Sequence, residues 1–231
     1  MDAAGALVLI GFLLFFGGMV YFAIRSSRKE VEKKQQVARS LGFSPLEADP
    51  KLAAKIADLY RRPGAQTKYE LRNVSRKIIP DGEAYLFDLV DTSGDDDSWT
   101  ERQAVAIVSP GLKLPPFNLF PKSDPKYALS GLANKVLEWG MSFIGTPLDF
   151  PEYPEFDARC ILTSDEGTDW VRSVIDPDLA GYLSRAQMLM LHAAENIFTL
   201  SEMGTSLDSN DQSVMSQRVN RALDIFRLLQ K

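Results

Sequence analysis

The sequence predicts an α+β protein: an N-terminal transmembrane helix followed by an antiparallel sheet packed with helices. Residues 3–24 form an uncharged run, and the chain beyond it mixes short strand patterns with amphipathic helix patterns in no repeating order. It also lacks a βαβ rhythm and a Gly-rich phosphate loop, which argues against a doubly wound parallel sheet.

The run AAGALVLIGFLLFFGGMVYFAI, Ala3 to Ile24, carries no charge. At 1.5 Å per residue, about 22 residues cross roughly the 30 Å hydrocarbon layer. A signal peptide would place basic residues before a shorter run and small residues after it. Here only Asp2 precedes, and the run ends in Tyr21, Phe22 and Ile24. Arg25, Arg28, Lys29, Lys33, Lys34 and Arg39 follow at once, and clustered basic residues stay on the cytoplasmic side. The expected topology is a single-pass inner-membrane protein with the N-terminus outside and the domain in the cytoplasm. Arg25, Arg28, Lys29, Lys33 and Lys34 are the candidate membrane-surface residues. The same charges also fit a solvated stalk helix, with Glu30 and Lys34 paired at i,i+4. Gly11, Gly17 and Gly18 do not make a G-x-x-x-G dimerisation pattern. The expected division is 1–24 anchor, 25–44 juxtamembrane basic stalk and 45–231 soluble α+β domain.

Gly42 and Pro45 end the stalk. Asp49 then Pro50 reads as an N-cap with proline at the first helical position, Leu52, Ile56, Leu59 and Tyr60 share one face, and Pro63–Gly64 closes the helix. Tyr69 and Leu71 alternate with polar residues, Pro80-Asp81-Gly82 supplies a turn, and Ala84 to Val90 sets Tyr85, Phe87 and Leu89 on one side. A strand from Thr100 to Val108 completes an antiparallel meander. The segment Leu114 to Pro121 reads as a short edge strand or an extended stretch packed on the sheet, because proline cannot donate to a ladder. Its Pro115, Pro116 and Phe117 are the candidate partner surface. Leu129, Leu132, Ala133, Val136 and Leu137 recur at helical spacing. Asp157 to Thr163 reads as a strand. Asp165 then turns into a helix with Trp170, Val171, Val174 and Ile175 that Pro177 interrupts before Leu179 and Leu183. Strands Gln187 to Ala193 and Ile197 to Glu202 meet at a tight Glu195-Asn196 turn. Ser209 and Gln212 form a capping box for a last helix with Met215, Val219, Ala222, Leu223, Phe226 and Leu229 on one face.

The 231 residues carry 26 basic and 31 acidic side chains, so no broad positive field exists to hold nucleic acid. His192 is the single histidine and Cys160 the single cysteine, which falls short of a structural zinc ligand set. A Cys160–His192 nucleophile and base has no local signature, and a buried, hydrophobe-like cysteine is the expectation. The loop Asp91-Thr-Ser-Gly-Asp95-Asp96-Asp97 lacks EF-hand spacing and reads as a solvated tip. Asp149, Glu152, Glu155 and Asp157 lie among prolines, unlike a glycosidase pair. No G-x-S-x-G, Walker, H-E-x-x-H or G-x-G-x-x-G motif occurs, so no catalytic, metal or cofactor site is expected.

ARSLGFSP at 38–45, NVSRKI at 73–78, LPPFNLFP at 114–121 and LDFPEYPEFDARCILTSDEGTDWVRSVIDP at 148–177 resemble a family of uncharacterised bacterial membrane-anchored proteins with a cytoplasmic α+β domain. The resemblance covers roughly residues 38 to 230. It implies a bacterial inner-membrane setting and supplies no catalytic residues. The expected function is a membrane-tethered, non-enzymatic interaction or accessory protein, bound to the bilayer through residues 3–24 and to a protein partner, without nucleic acid or cofactor. The alternatives are an enzyme of unfamiliar type, or a lipid or small-ligand sensor at the membrane surface.

Overall fold

The computed structural model describes Met19 and residues 25–26, 28–47, 49–61, 69–91, 100–122, 145–166, 168–186, 188–202 and 211–231. The expected anchor, the acidic loop at 92–97 and the helix expected at 129–140 lie outside the described residues, Met19 excepted. Among the described residues no helix is long and apolar enough to cross a membrane.

Helix α1 (residues 28–40) ends in a Schellman arrangement. Gly42 takes φ 84, Gly42 N–H bonds Arg39 O, and Phe43 N–H reaches back to Ala38 O at 3.0 Å. Strand β1 (Ser44–Pro45) follows, then α2 (Pro50–Leu59). The Asp49 side chain caps α2 by accepting from Lys51 and Leu52 N–H, as expected. The α2 helix stops at Leu59, with Tyr60 as C-cap, before the expected Pro63–Gly64, which is outside the described residues.

Strands β2 (Tyr69–Ile79), β3 (Gly82–Asp91) and β4 (Thr100–Val108) form the expected meander. Pairing of Ile79 with Gly82 leaves Pro80 and Asp81 as a two-residue turn, with Asp81 at φ 61. A Cβ on Gly82 would stand 2.5 Å from Val108 O, so the close approach of β4 requires glycine there.

Strand β5 (Leu114–Pro121) lies between two neighbours and is not an edge. β7 pairs only with Asn118 to Pro121, and the β8 pairing breaks register between Leu114 and Phe117. Pro115 and Pro116 therefore sit where the ladder asks for no regular N–H donor. Short β6 (Thr146–Leu148) precedes α3 (Pro154–Arg159), and β7 (Cys160–Ser164) comes next. The expected strand from Asp157 is corrected here. Pro154 starts a helix that runs through Arg159 and buries Phe156 edge-on against Phe150, with centroids 5.2 Å apart. Pro177 likewise starts a helix. After α4 (Thr168–Val174), Asp176 caps α5 (Pro177–Arg185) by accepting from Leu179 N–H at 2.7 Å.

Strands β8 (Leu189–Glu195) and β9 (Ile197–Glu202) make the expected hairpin, with Ala194 opposite Ile197 and Glu195 at φ 55. The last helix, α6 (Gln212–Leu229), is capped by Asp211, whose side chain accepts from Ser213 N–H; Ser209 lies outside the described residues. Of its expected stripe, Met215, Val219, Ala222 and Phe226 are buried, joined by Ile225 and Arg218.

Among the described residues the nine strands form one antiparallel sheet, in the order β1-β2-β3-β4-β9-β8-β5-β7-β6. The edges are the two shortest strands, which limits pairing with another chain. Both faces are covered. The larger core joins Ala38 and Phe43 to Leu86, Ile107, Leu191 and the inner faces of α5 and α6. The smaller joins Leu52, Ile56 and Tyr60 to Tyr85, Phe87, Leu89 and Phe120. The central strand β3 thus buries alternate residues on opposite sides, which explains why it is apolar almost throughout.

Candidate functional site

The expected membrane-surface residues divide in two. Arg25, Arg28, Lys29 and Lys33 are exposed. Lys34 turns inward and is 2.8 Å from Asp88 Oδ2, with the two side chains 15% and 2% exposed. Asp88 belongs to β3 on the face that α1 covers, one position beyond the core residues Phe87 and Leu89 of the other face. The Asn73 amide donates to the same Oδ2 at 2.7 Å. Asn73 reaches it because β2 breaks register between Arg72 and Ser75 and the residue takes φ 52, a conformation asparagine tolerates.

A polar row continues from there across the sheet. Asp88 pairs directly with Gln103 on β4, and Ala104 pairs with Ser201, which brings Glu202 of β9 alongside. From α6, Arg218 donates to Gln103 Oε1 at 2.7 Å and to Glu202 Oε2 at 3.3 Å, while Arg221 donates to the other Glu202 oxygen. The Arg218 and Glu202 side chains are each 3% exposed, so the pair is held out of water and depends on its hydrogen bonds. Lys34, Gln35, Asn73, Asp88, Gln103 and Met215 border a cleft with water-sized space of about 10 Å³. That is room for roughly one water molecule, far below the few hundred Å³ of an ordinary ligand pocket. The arrangement can hold two helices on a sheet; it has no room for a substrate.

The opposite face carries a second row. Thr163, Asn118, His192 and Thr199 are cross-strand partners on β7, β5, β8 and β9 in turn. The His192 Nδ1 stands 2.7 Å from Asn118 Oδ1, and the ring packs on Tyr60, centroid to centroid 4.4 Å, and edge-on to Phe120 at 5.6 Å. Thr199 donates to the Tyr60 hydroxyl at 3.0 Å. Burial pushes the Tyr60 pKa upward, against the lowering pull of Thr199 and Arg102. His192 and Thr199 are fully buried, so the row is a packed seam and presents no reactive surface.

Cys160 faces the larger core and His192 the smaller, so the sheet separates them. The thiol approaches Leu183 O at 3.9 Å, and burial pushes its pKa up to about 12, which keeps it protonated and unreactive. Among the described residues no group of three or more His, Cys, Asp or Glu side chains comes together to hold a metal ion. Of the carboxylates at 149–157, Asp157 accepts from Phe150 N–H, and Glu152 pairs with Arg172 at 2.7 Å beside the Phe150 ring. They brace a loop.

The residues expected as a partner surface lie largely inside the fold. Phe117 is buried, Pro115 is buried and Pro116 half-buried, because β5 runs inside the sheet under α4. The Pro116 carbonyl accepts from Ser164 Oγ at 2.6 Å. Sequence reasoning missed Asp88, Gln103, Glu202 and Arg218. Polar and charged residues inside otherwise apolar or alternating stretches were the signal that could have found them.

No family model matches this chain, and no curated protein matches it in sequence. In fold it is similar to the crystal structure of the mycobacterial trehalose monomycolate transport factor A, TtfA. The TM-score is 0.51 at 14% identity, covering 87% of this chain and 97% of that one.

Proposed function

We propose that this chain is a membrane-tethered, non-enzymatic accessory protein of a bacterial inner membrane, anchored through residues 3–24 with its α+β domain in the cytoplasm. Its partner on this reading is a protein component of a membrane transport system. The observation that carries the proposal is the path of α1. The helix begins just past the uncharged run and the exposed Arg25, keeps Arg28, Lys29 and Lys33 in solvent, and is pinned to the sheet by Lys34 and Asp88. A domain fastened this way is held close to the bilayer, where a membrane protein presents its cytoplasmic surface. The fold likeness to a protein named as a transport factor supports the partner class. The water-sized cleft and the protonated, buried thiol favour a binding role over catalysis.

The test is a mild-detergent purification of the full chain from its native membrane, beside a version lacking residues 1–24, with co-purifying proteins identified by mass spectrometry. A stoichiometric membrane-transport component held by the full chain and reduced in the shortened one is expected. Recovery of the shortened chain in the membrane fraction, or turnover of a metabolite by the purified domain, overturns the reading.

A further inference from the structure

We infer that the outward face of the chain from Arg25 to Lys33 is a contact surface for anionic lipid headgroups, and that this surface ends at Lys34, where the helix becomes part of the domain. The inference rests on the reading of residues 3–24 as a spanning helix and assigns the neighbouring segment a ligand.

The geometry divides the basic cluster sharply. Lys34, Ala38 and Leu41 recur at i, i+4 and i+7, and this stripe meets the sheet; Ala38 is 3% exposed and Leu41 packs on the same core. Arg25, Lys29 and Lys33 recur at i, i+4 and i+8 on another face, and all three are exposed. Arg28 is exposed between them, with Glu32 one turn later. Four basic residues against Glu30 and Glu32 leave this stretch positive in a chain whose net charge is -5.

Placement favours a bilayer over an acidic protein segment. On the reading of residues 3–24 as a spanning helix, Arg25, Arg28 and Lys29 follow its end by one to five positions in the sequence, within reach of the headgroup layer. Lys33 follows the uncharged run by nine positions and is the outermost of the four. The domain begins to cover the helix only at Lys34, so nothing described shields these four from the membrane surface. Phosphatidylglycerol and similar headgroups supply diffuse negative charge at that depth, and each basic residue there raises surface affinity by about fivefold.

The test uses the full chain with Gln36→Cys, an exposed position on α1, labelled with a donor dye; the buried, protonated Cys160 stays unlabelled. The protein is reconstituted into phosphatidylcholine vesicles and into phosphatidylcholine–phosphatidylglycerol vesicles, each with a headgroup acceptor, and recovered by flotation. Energy transfer is expected to be higher in the anionic vesicles. The difference should fall with added salt and vanish in the R25E/R28E/K29E/K33E variant, whose domain melts at the same temperature as the parent because all four side chains are exposed. Equal transfer in both floated vesicle types overturns the lipid contact while leaving the anchor standing. Loss of a co-purified protein by the charge-reversed variant, with equal transfer, assigns the face to an acidic protein and also overturns it. Failure to float with either vesicle overturns the spanning helix and the proposal together.

Discussion

The sheet carries a buried polar row on each face, and the two are completed by different means. On the side of α1 and α6, Asp88, Gln103 and Glu202 point out of the strands and take their partners from the helices above: Lys34, Arg218 and Arg221. On the side of α2, Asn118 Oδ1 and His192 Nδ1 meet within the sheet, and Tyr60 closes the row through Thr199. The first row therefore binds α1 and α6 to the sheet through charges, and the second joins strands to one another and to the end of α2 through neutral groups. A buried charge stripped of its partner costs more than a buried hydroxyl or amide in the same position, since ionic desolvation is the larger penalty. The first row is where the molecule is most easily broken.

Glu202→Ala should have the largest effect. It strands the Arg218 and Arg221 guanidinium groups beneath α6, and chemical denaturation should record a loss of about 4 kcal/mol. A loss below about 1 kcal/mol would mean that water reaches the row and that the two faces are energetically alike.

Asp88→Ala should cost about 3 kcal/mol, somewhat less because Lys34 keeps partial access to solvent. Adding Lys34→Met should restore part of that loss, since the two side chains act on each other; a purely additive double mutant would rule out the proposed joint. Hydrogen exchange across residues 28–40 should rise in Asp88→Ala and stay unchanged in variants of the other face.

Tyr60→Phe probes the second row and should cost about 1 kcal/mol, the net worth of one buried hydrogen bond. A cost near that of Asp88→Ala would erase the contrast between the faces.

The smallest effect is alkaline. Burial and then the neighbouring Glu83 carboxylate push the Tyr85 pKa up to about 12, and burial also raises those of Tyr60 and Tyr182. The unfolded chain ionises its tyrosines near pH 10, before the folded one does. This contribution to stability is therefore whole below about pH 10 and is lost as pH rises from there toward 12. Denaturation midpoints measured across that window should fall, and Tyr85→Phe should make the fall shallower.

Local chemistry explains which elements could be read in advance. The Asp49–Pro50 start of α2, the Pro80-Asp81 turn and the Glu195-Asn196 turn each depend on residues within a few positions of one another. The buried stripe of α6 follows from helical period alone. Where the reading failed, distance along the chain was the cause. LPPFNLFP looked like an edge because proline removes donors, yet β8 and β7, which flank it, come from much later in the sequence. Pro177 reads as a break in a helix and the helix start at Pro154 goes unread in the expected strand from Asp157, although proline at the first turn starts a helix as readily as it stops one.

By itself, then, the sequence determined the antiparallel α+β class, the meander β2–β3–β4, the hairpin β8–β9 and the inert character expected of Cys160, because period, turn residues and hydrophobicity are local properties. Only the tertiary structure decided that β9 joins β4, that β5 lies inside the sheet and that Cys160 and His192 face opposite cores. It also decided that Lys34 is a structural pin while Lys29 and Lys33 remain on the surface. All three are cationic side chains of one juxtamembrane cluster in the sequence; what separates Lys34 is Asp88, a buried carboxylate 54 positions away that takes it as an ion-pair partner.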